Sequence, residues 1–148
     1  MKRAVLLWVA SVLAVLAGEL SQDMVCKIVE QHDAESMMGM KFKYERAGTI
    51  AFPHTSYCEY GNGVLPQLSI YYYKTKNSVN MYDKTKEIKG LHFPAQAVFV
   101  PSNGDVVQIV SETEKGMLSF VFSDGIKEND TRYQRALKLI DTLSKKFP

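Results

Sequence analysis

The sequence lacks an excess of charge of either sign. It holds 18 Lys and Arg against 16 Asp and Glu, and two of the basic residues, Lys2 and Arg3, lie in an N-terminal segment that we expect to be removed. The rest of the chain then has 16 basic and 16 acidic residues. A neutral surface of mixed sign offers no electrostatic footprint for a nucleic acid, so none is expected as a partner.

Sequence motifs for catalysis and for nucleotide binding are absent as well. There is no Gly-x-Ser-x-Gly elbow for a nucleophilic serine and no glycine-rich loop to hold a phosphate. The three histidines, His32, His54 and His92, form no pair at zinc-ligand spacing. We therefore expect no enzyme, no metal and no cofactor. The alternative is a small secreted hydrolase whose site is dispersed over the loops.

Cysteine is scarce, with only Cys26 and Cys58 in the whole chain. They form no Cys-x-x-Cys motif, and neither has a histidine at ligand spacing. In an exported chain a lone pair of cysteines is most simply one structural disulfide. A reactive thiol pair and a metal site are the alternatives. A disulfide would leave the chain without a thiol nucleophile.

Residues 1–18 have the pattern of a secretory signal peptide. Two positive charges precede an apolar run over residues 4–17, which is shorter than the roughly 20 residues of a membrane span. Cleavage is expected after Ala17 or Gly18, and an uncleaved anchor is the alternative. Glu19 stands where a bacterial lipoprotein has its lipidated cysteine. We predict a periplasmic or secreted domain over residues 19–148, with no membrane span after cleavage.

Alternating and β-rich segments predict a sheet of about five strands. They cover residues 55–60, 68–74, 95–100, 105–112 and 116–123, and the last three are close enough for an antiparallel meander. Residues 41–52 alternate loosely and suit a further strand, or a hairpin around Ala47 and Gly48.

Three segments suit helices. One lies within residues 27–38, or in the second half of that segment alone, capped by Asp33 and stopped by Gly39, and a second is predicted over residues 77–89. The last follows a cap at Asn129, Asp130 or Thr131. Its apolar residues recur at steps of three and four: Tyr133, Ala136, Leu137, Ile140, Leu143 and Phe147. These elements predict an α+β fold with the C-terminal helix packed across one face of the sheet.

Tyrosines concentrate on two neighbouring predicted strands. Because tyrosine combines rigid apolar area with a polar hydroxyl, it suits recognition of proteins, sugars or lipids. The alternative is plain β-propensity with one face packed on helices. The candidate binding surface consists of Tyr57, Tyr60, Tyr71 and Tyr73.

The order of these features resembles the small, disulfide-paired proteins and lipoproteins of bacterial cell envelopes. The similarity lies in Cys26-Lys-Ile, a helix closing at Met38-Gly39, Tyr57-Cys58-Glu-Tyr60, a Leu-Ser-Ile strand, a turn at Gly90 before Ala95 and Ala97, and a last helix with Ala136-Leu-Lys-Leu-Ile. It implies an envelope protein with a Cys–Cys bridge and an α+β sheet, and it implies no catalytic residue. Two family features are missing here, the lipid-accepting cysteine and the proline before Cys26.

From these observations we expect an exported, non-enzymatic envelope protein that binds a protein or a small ligand. An inhibitor or immunity-type protein is one specific form of this function. Size, neutrality, export and a disulfide fit an accessory protein that holds a protein or a small ligand and an inhibitor equally well.

Overall fold

A computed structural model of the chain describes residues 21–51, 54–76 and 84–148. The predicted signal peptide lies outside the described residues. The helices are α1 (Met24–Ile28), α2 (Gln31–Met38) and α3 (Thr131–Ser144). The strands are β1 (Tyr44–Ile50), β2 (Thr55–Gly61), β3 (Leu68–Tyr73), β4 (Thr85–Ile88), β5 (Ala95–Phe99), β6 (Val106–Glu112) and β7 (Met117–Ile126).

The strands form one antiparallel sheet in the order β1-β2-β3-β7-β6-β5-β4. Two meanders, β1 to β3 and β4 to β7, join where β3 pairs with β7 at the centre. The predicted α+β class, the antiparallel sheet and the C-terminal helix are confirmed. The expected strand number of about five is wrong, because the sheet has seven strands.

The two additional strands are the edges of the sheet. β1 is one continuous strand that pairs with β2 from Tyr44 to Ile50, so there is no hairpin at Ala47 and Gly48. β4 pairs with β5 where a helix was predicted over residues 77–89. Three of its four residues are exposed, so backbone pairing rather than an apolar pattern defines it. Residues 77–83 of that predicted helix lie outside the described residues.

Two short helices replace the single helix predicted within residues 27–38. Glu30 is extended, with φ −68° and ψ 145°, and precedes the first residue of α2. Asp33 lies inside the first turn of α2, so it is not the capping residue that we expected. Gly39 ends the helix in the left-handed conformation at φ 67°, which confirms the predicted stop.

The main hydrophobic core lies between the helices and one face of the sheet. α1 contacts β1, β2 and β3, whereas α3 contacts β6, β7 and α2. Asp130 caps α3 by accepting a hydrogen bond from the Arg132 backbone N–H at 2.8 Å. Within α3, Ile140 and Leu143 are buried, but Leu137 is only half-buried. The buried face of α3 is therefore narrower than its sequence pattern indicated.

Cys26 in α1 and Cys58 in β2 form a disulfide, with their Cα atoms 5.1 Å apart. This confirms the predicted bridge, and the reactive-pair and metal alternatives no longer apply to the oxidised protein. Disulfides are typical of oxidising compartments. Within the part of the chain that the structure describes, no helix is long and apolar enough to cross a membrane.

Candidate binding surface

Three of the predicted surface tyrosines lie together on the face of the sheet opposite the helices. Tyr57 and Tyr71 are direct partners in the β2–β3 register, with ring centroids 5.8 Å apart. Tyr73 lies two residues further along β3 and stacks on Tyr71 at 6.1 Å. All three are half-buried. We call Tyr57, Tyr71 and Tyr73 the tyrosine cluster.

Tyr60 is not part of this surface. It is 0% exposed and lies on the helix-packed face, where its ring is 5.6 Å from that of Phe42. Its hydroxyl donates a hydrogen bond to the Val29 carbonyl at 2.8 Å, and burial raises its pKa. The reason is strand geometry: Tyr57 and Tyr60 are three residues apart, so their side chains point to opposite faces. Tyr60 is a core residue, so its prediction as part of the binding surface was wrong.

Close backbone approaches fix the rings next to the edge strand. The Tyr57 ring lies over Gly48 of β1, where a Cβ atom would collide with it. In the same way the Tyr44 ring covers Gly61 of β2. Such contacts need glycine, because any side chain would displace the ring. The two glycines therefore allow the Tyr57 and Tyr44 rings to lie against the backbone of the neighbouring strand.

An ion pair borders the same aromatic region. The Arg46 guanidinium donates from Nε to the Glu59 carboxylate at 2.8 Å and lies 5.6 Å from the centre of the Tyr44 ring. The bond to Glu59 raises the pKa of Arg46. Because Arg46 is exposed, its pair with Glu59 contributes little to stability. It instead gives this side of the sheet a polar border.

The turn between β2 and β3 exposes two neighbouring aliphatic side chains. Val64 is 93% exposed and Leu65 is 77% exposed. The turn is anchored at its base, where Asn62 donates to the Lys41 carbonyl and accepts from the Lys43 backbone N–H, both at 2.8 Å. We call Val64 and Leu65 the apolar tip. Sequence reasoning missed it, although two aliphatic residues directly after Gly61-Asn62-Gly63 are an available signal.

One group of metal-ligand atom types occurs within the described ranges. A Glu45 carboxylate oxygen and the sulfurs of Cys26 and Cys58 all lie within 4.8 Å of one another. The two sulfurs are bonded to each other, so neither can act as a thiolate ligand to zinc. Burial raises the pKa of Glu45. In the oxidised protein this group is a disulfide with a neighbouring carboxylate.

Several other carboxylates already have structural partners. Asp130 caps α3, and its bonds to Arg132 lower its pKa. Glu112 pairs with Lys76 at 3.4 Å, and Glu128 pairs with Lys86 at 2.9 Å. Capping and ion pairing thus give Asp130, Glu112 and Glu128 structural roles.

Comparison of the chain with known protein families, with curated proteins and with solved structures finds no match. The resemblance to envelope proteins stays a prediction. The tyrosine cluster and the apolar tip are the described features that best suit contact with a partner.

Proposed function

We propose that this chain is an exported, non-enzymatic envelope protein that binds a partner protein through its β2–β3 hairpin. The hairpin carries the tyrosine cluster on one face and the apolar tip at its end. Aromatic residues are enriched at protein interfaces, where they bury large areas at low entropic cost. An inhibitor or immunity-type protein of the periplasm or the secreted fraction is the specific form that we favour.

The exposure of Val64 and Leu65 carries this proposal. Burying an aliphatic side chain is worth about 1.5–3 kcal/mol, and the isolated domain leaves both in water. The hydrogen bonds of Asn62 hold the base of the turn, so little conformational entropy would be lost on binding. A small secreted hydrolase, the alternative, has no comparable support among the residues that the structure describes.

A pull-down from envelope extract tests this function. The tagged domain should retain a protein partner in a defined ratio, whereas Leu65→Asp and Tyr71→Ser should each reduce the retained amount roughly tenfold or more, as expected for central interface residues. Lys89→Asp is the matched control, because Lys89 is exposed next to β4, at the opposite edge of the sheet.

Each variant is first checked by its melting temperature, which should equal that of the wild type for Leu65→Asp. If wild type retains no partner, or if Leu65→Asp retains as much as wild type, the proposed function is wrong.

A further inference from the structure

A groove runs along the solvent side of the contact between α2 and α3. Its volume is about 430 Å³, within the range of about 300–1,000 Å³ that is usual for small-molecule sites. Met37 and Leu139 are the large apolar side chains that line it. Met37 is almost fully buried and Leu139 is half-buried, so together they form an apolar floor.

Two cations stand at this groove. Arg135 and Lys138 are one helical turn apart on α3, so both project to the same side. Within the described ranges neither side chain makes a hydrogen bond or a close ion pair, although the charge of Arg135 contributes at longer range to the lowered pKa of Asp130. The Arg135 Nη1 atom lies 3.4 Å from the place that a Cβ atom on Gly39 would take, so this guanidinium reaches the C-terminal end of α2.

The charge of the lining is positive overall. Asp33 is the single acid that lines the groove, and the His32 imidazole lies 3.8 Å from its carboxylate. Against it stand Arg135 and Lys138, which gives the lining a net charge of about +1 at neutral pH. An apolar floor with unpaired cations beside it is complementary to a ligand with an alkyl chain and an anionic head.

We propose that this groove binds a single-chain fatty-acid carboxylate, because its apolar floor and its two cations match an alkyl chain and an anionic head. The alkyl chain lies against Met37 and Leu139. The carboxylate is held by Arg135, whose planar guanidinium matches it with two parallel hydrogen bonds, and by Lys138 as a second cation. This site is separate from the β2–β3 hairpin and does not depend on the proposed function.

Calorimetric titration with dodecanoate, kept below the concentration at which it forms micelles, tests the site. We expect saturable binding of one molecule per chain. The affinity for the neutral dodecan-1-ol should be lower by a factor of roughly ten or more, because the hydrogen bonds to a charged carboxylate are lost. The double variant R135Q/K138Q should weaken dodecanoate binding by a similar factor, whereas K146Q, a matched change on an exposed lysine just beyond α3, should leave it unchanged.

A second variant tests the groove itself rather than its charge. Ser36 is exposed and lines the groove, so S36W should fill the space and abolish binding while leaving the melting temperature unchanged. Tyr71→Ser should bind dodecanoate like wild type, which separates this site from the tyrosine cluster. Absence of saturable binding, or equal binding by R135Q/K138Q and wild type, would overturn the proposal.

Discussion

At the scale of single residues, Glu45 is the acidic neighbour of the disulfide. Its carboxylate is partly desolvated and within 4.8 Å of both sulfurs of the Cys26–Cys58 disulfide. A thiol reducing agent attacks a disulfide as its thiolate, so it brings a negative charge close to the Glu45 carboxylate. We infer that Glu45 slows reduction by electrostatic repulsion.

Glu45→Gln should therefore make the disulfide easier to reduce. Two like charges about 5 Å apart in water repel by about 0.8 kcal/mol, which corresponds to a rate increase of about fourfold on removal of the carboxylate. The rate of reduction by dithiothreitol at low ionic strength, followed by alkylation and mass analysis, measures this effect. High salt should diminish it. Glu114→Gln, in an exposed turn, is the control, and equal rates for all three proteins would refute the role of Glu45.

Glu35 connects α2 to the chain that leads into β1. Its carboxylate accepts hydrogen bonds from Gln31 Nε2 at 2.9 Å and from the Phe42 backbone N–H at 3.2 Å, and it pairs with Lys41 at 2.6 Å. The bonds to Lys41, Gln31 and Phe42 lower its pKa from 4.5 to about 2. The ionised form is therefore favoured in the folded protein.

This lowered pKa predicts a pH dependence of stability. Well above pH 4.5 the carboxylate is ionised in both states, so its stabilising contribution is complete. The contribution is lost as the pH falls through 4.5 towards 2. Glu35→Gln should lower the melting temperature at pH 7, and the difference from wild type should shrink over that acidic window. Thermal melts at pH 7, 4 and 2.5 measure it. A difference that stays constant down to pH 2.5 would mean that Glu35 does not act through its charge.

Among the elements, α3 shows the difference between an apolar pattern and actual burial. Leu137 and Ile140 fit the same helical periodicity, yet Ile140 is 0% exposed and Leu137 is half-buried. The periodicity gives the direction of the face, whereas the width of the contact with β6 and β7 decides which residues are enclosed.

Truncation of these two residues should have different costs. Ile140→Ala should reduce the free energy of unfolding by about 2–5 kcal/mol, because it leaves a cavity in the core. Leu137→Ala should cost roughly half of that or less, since part of its side chain is already in water. Urea denaturation of both variants measures the difference. Equal losses of free energy would show that Leu137 is as fully enclosed as Ile140, which would contradict the structure.

The strands differ in how well the sequence pattern predicts them. β3, β5, β6 and β7 were predictable from alternation and β-branched or aromatic residues, whereas β4 was not, because its exposed residues carry no apolar pattern. Its strand conformation comes from pairing with β5. The tyrosine cluster was predictable from alternation within β3, but its alignment with Tyr57 depends on the β2–β3 register.

For the whole molecule, the disulfide reinforces a core that is already extensive. The disulfide joins α1 to β2, 32 residues apart in sequence, near one edge of the sheet. The aromatic side chains at the centre of the core come from β3 and β7. A single cross-link in such a domain stabilises the fold without replacing the hydrophobic core.

The double variant Cys26→Ser/Cys58→Ser should therefore fold and be less stable. The chain-entropy relation for a loop of this length predicts a loss of about 3–4 kcal/mol in the free energy of unfolding. Urea denaturation measures the loss, and far-ultraviolet circular dichroism verifies that the sheet remains. An unfolded double variant would show that the core between helices and sheet cannot hold the fold alone.

By itself the sequence determined the α+β composition, the C-terminal helix with a cap among residues 129–131, the stop at Gly39 and the Cys26–Cys58 bridge. These features depend on neighbours along the chain, or on the presence of just two cysteines, so local patterns suffice to find them. Only the tertiary structure decided that Tyr60 lies in the core and that residues 85–88 form an edge strand. It also decided that Arg135 and Lys138 border an apolar groove. Such features arise where residues distant in sequence meet, and the energies that place them belong to pairing and packing rather than to local preference.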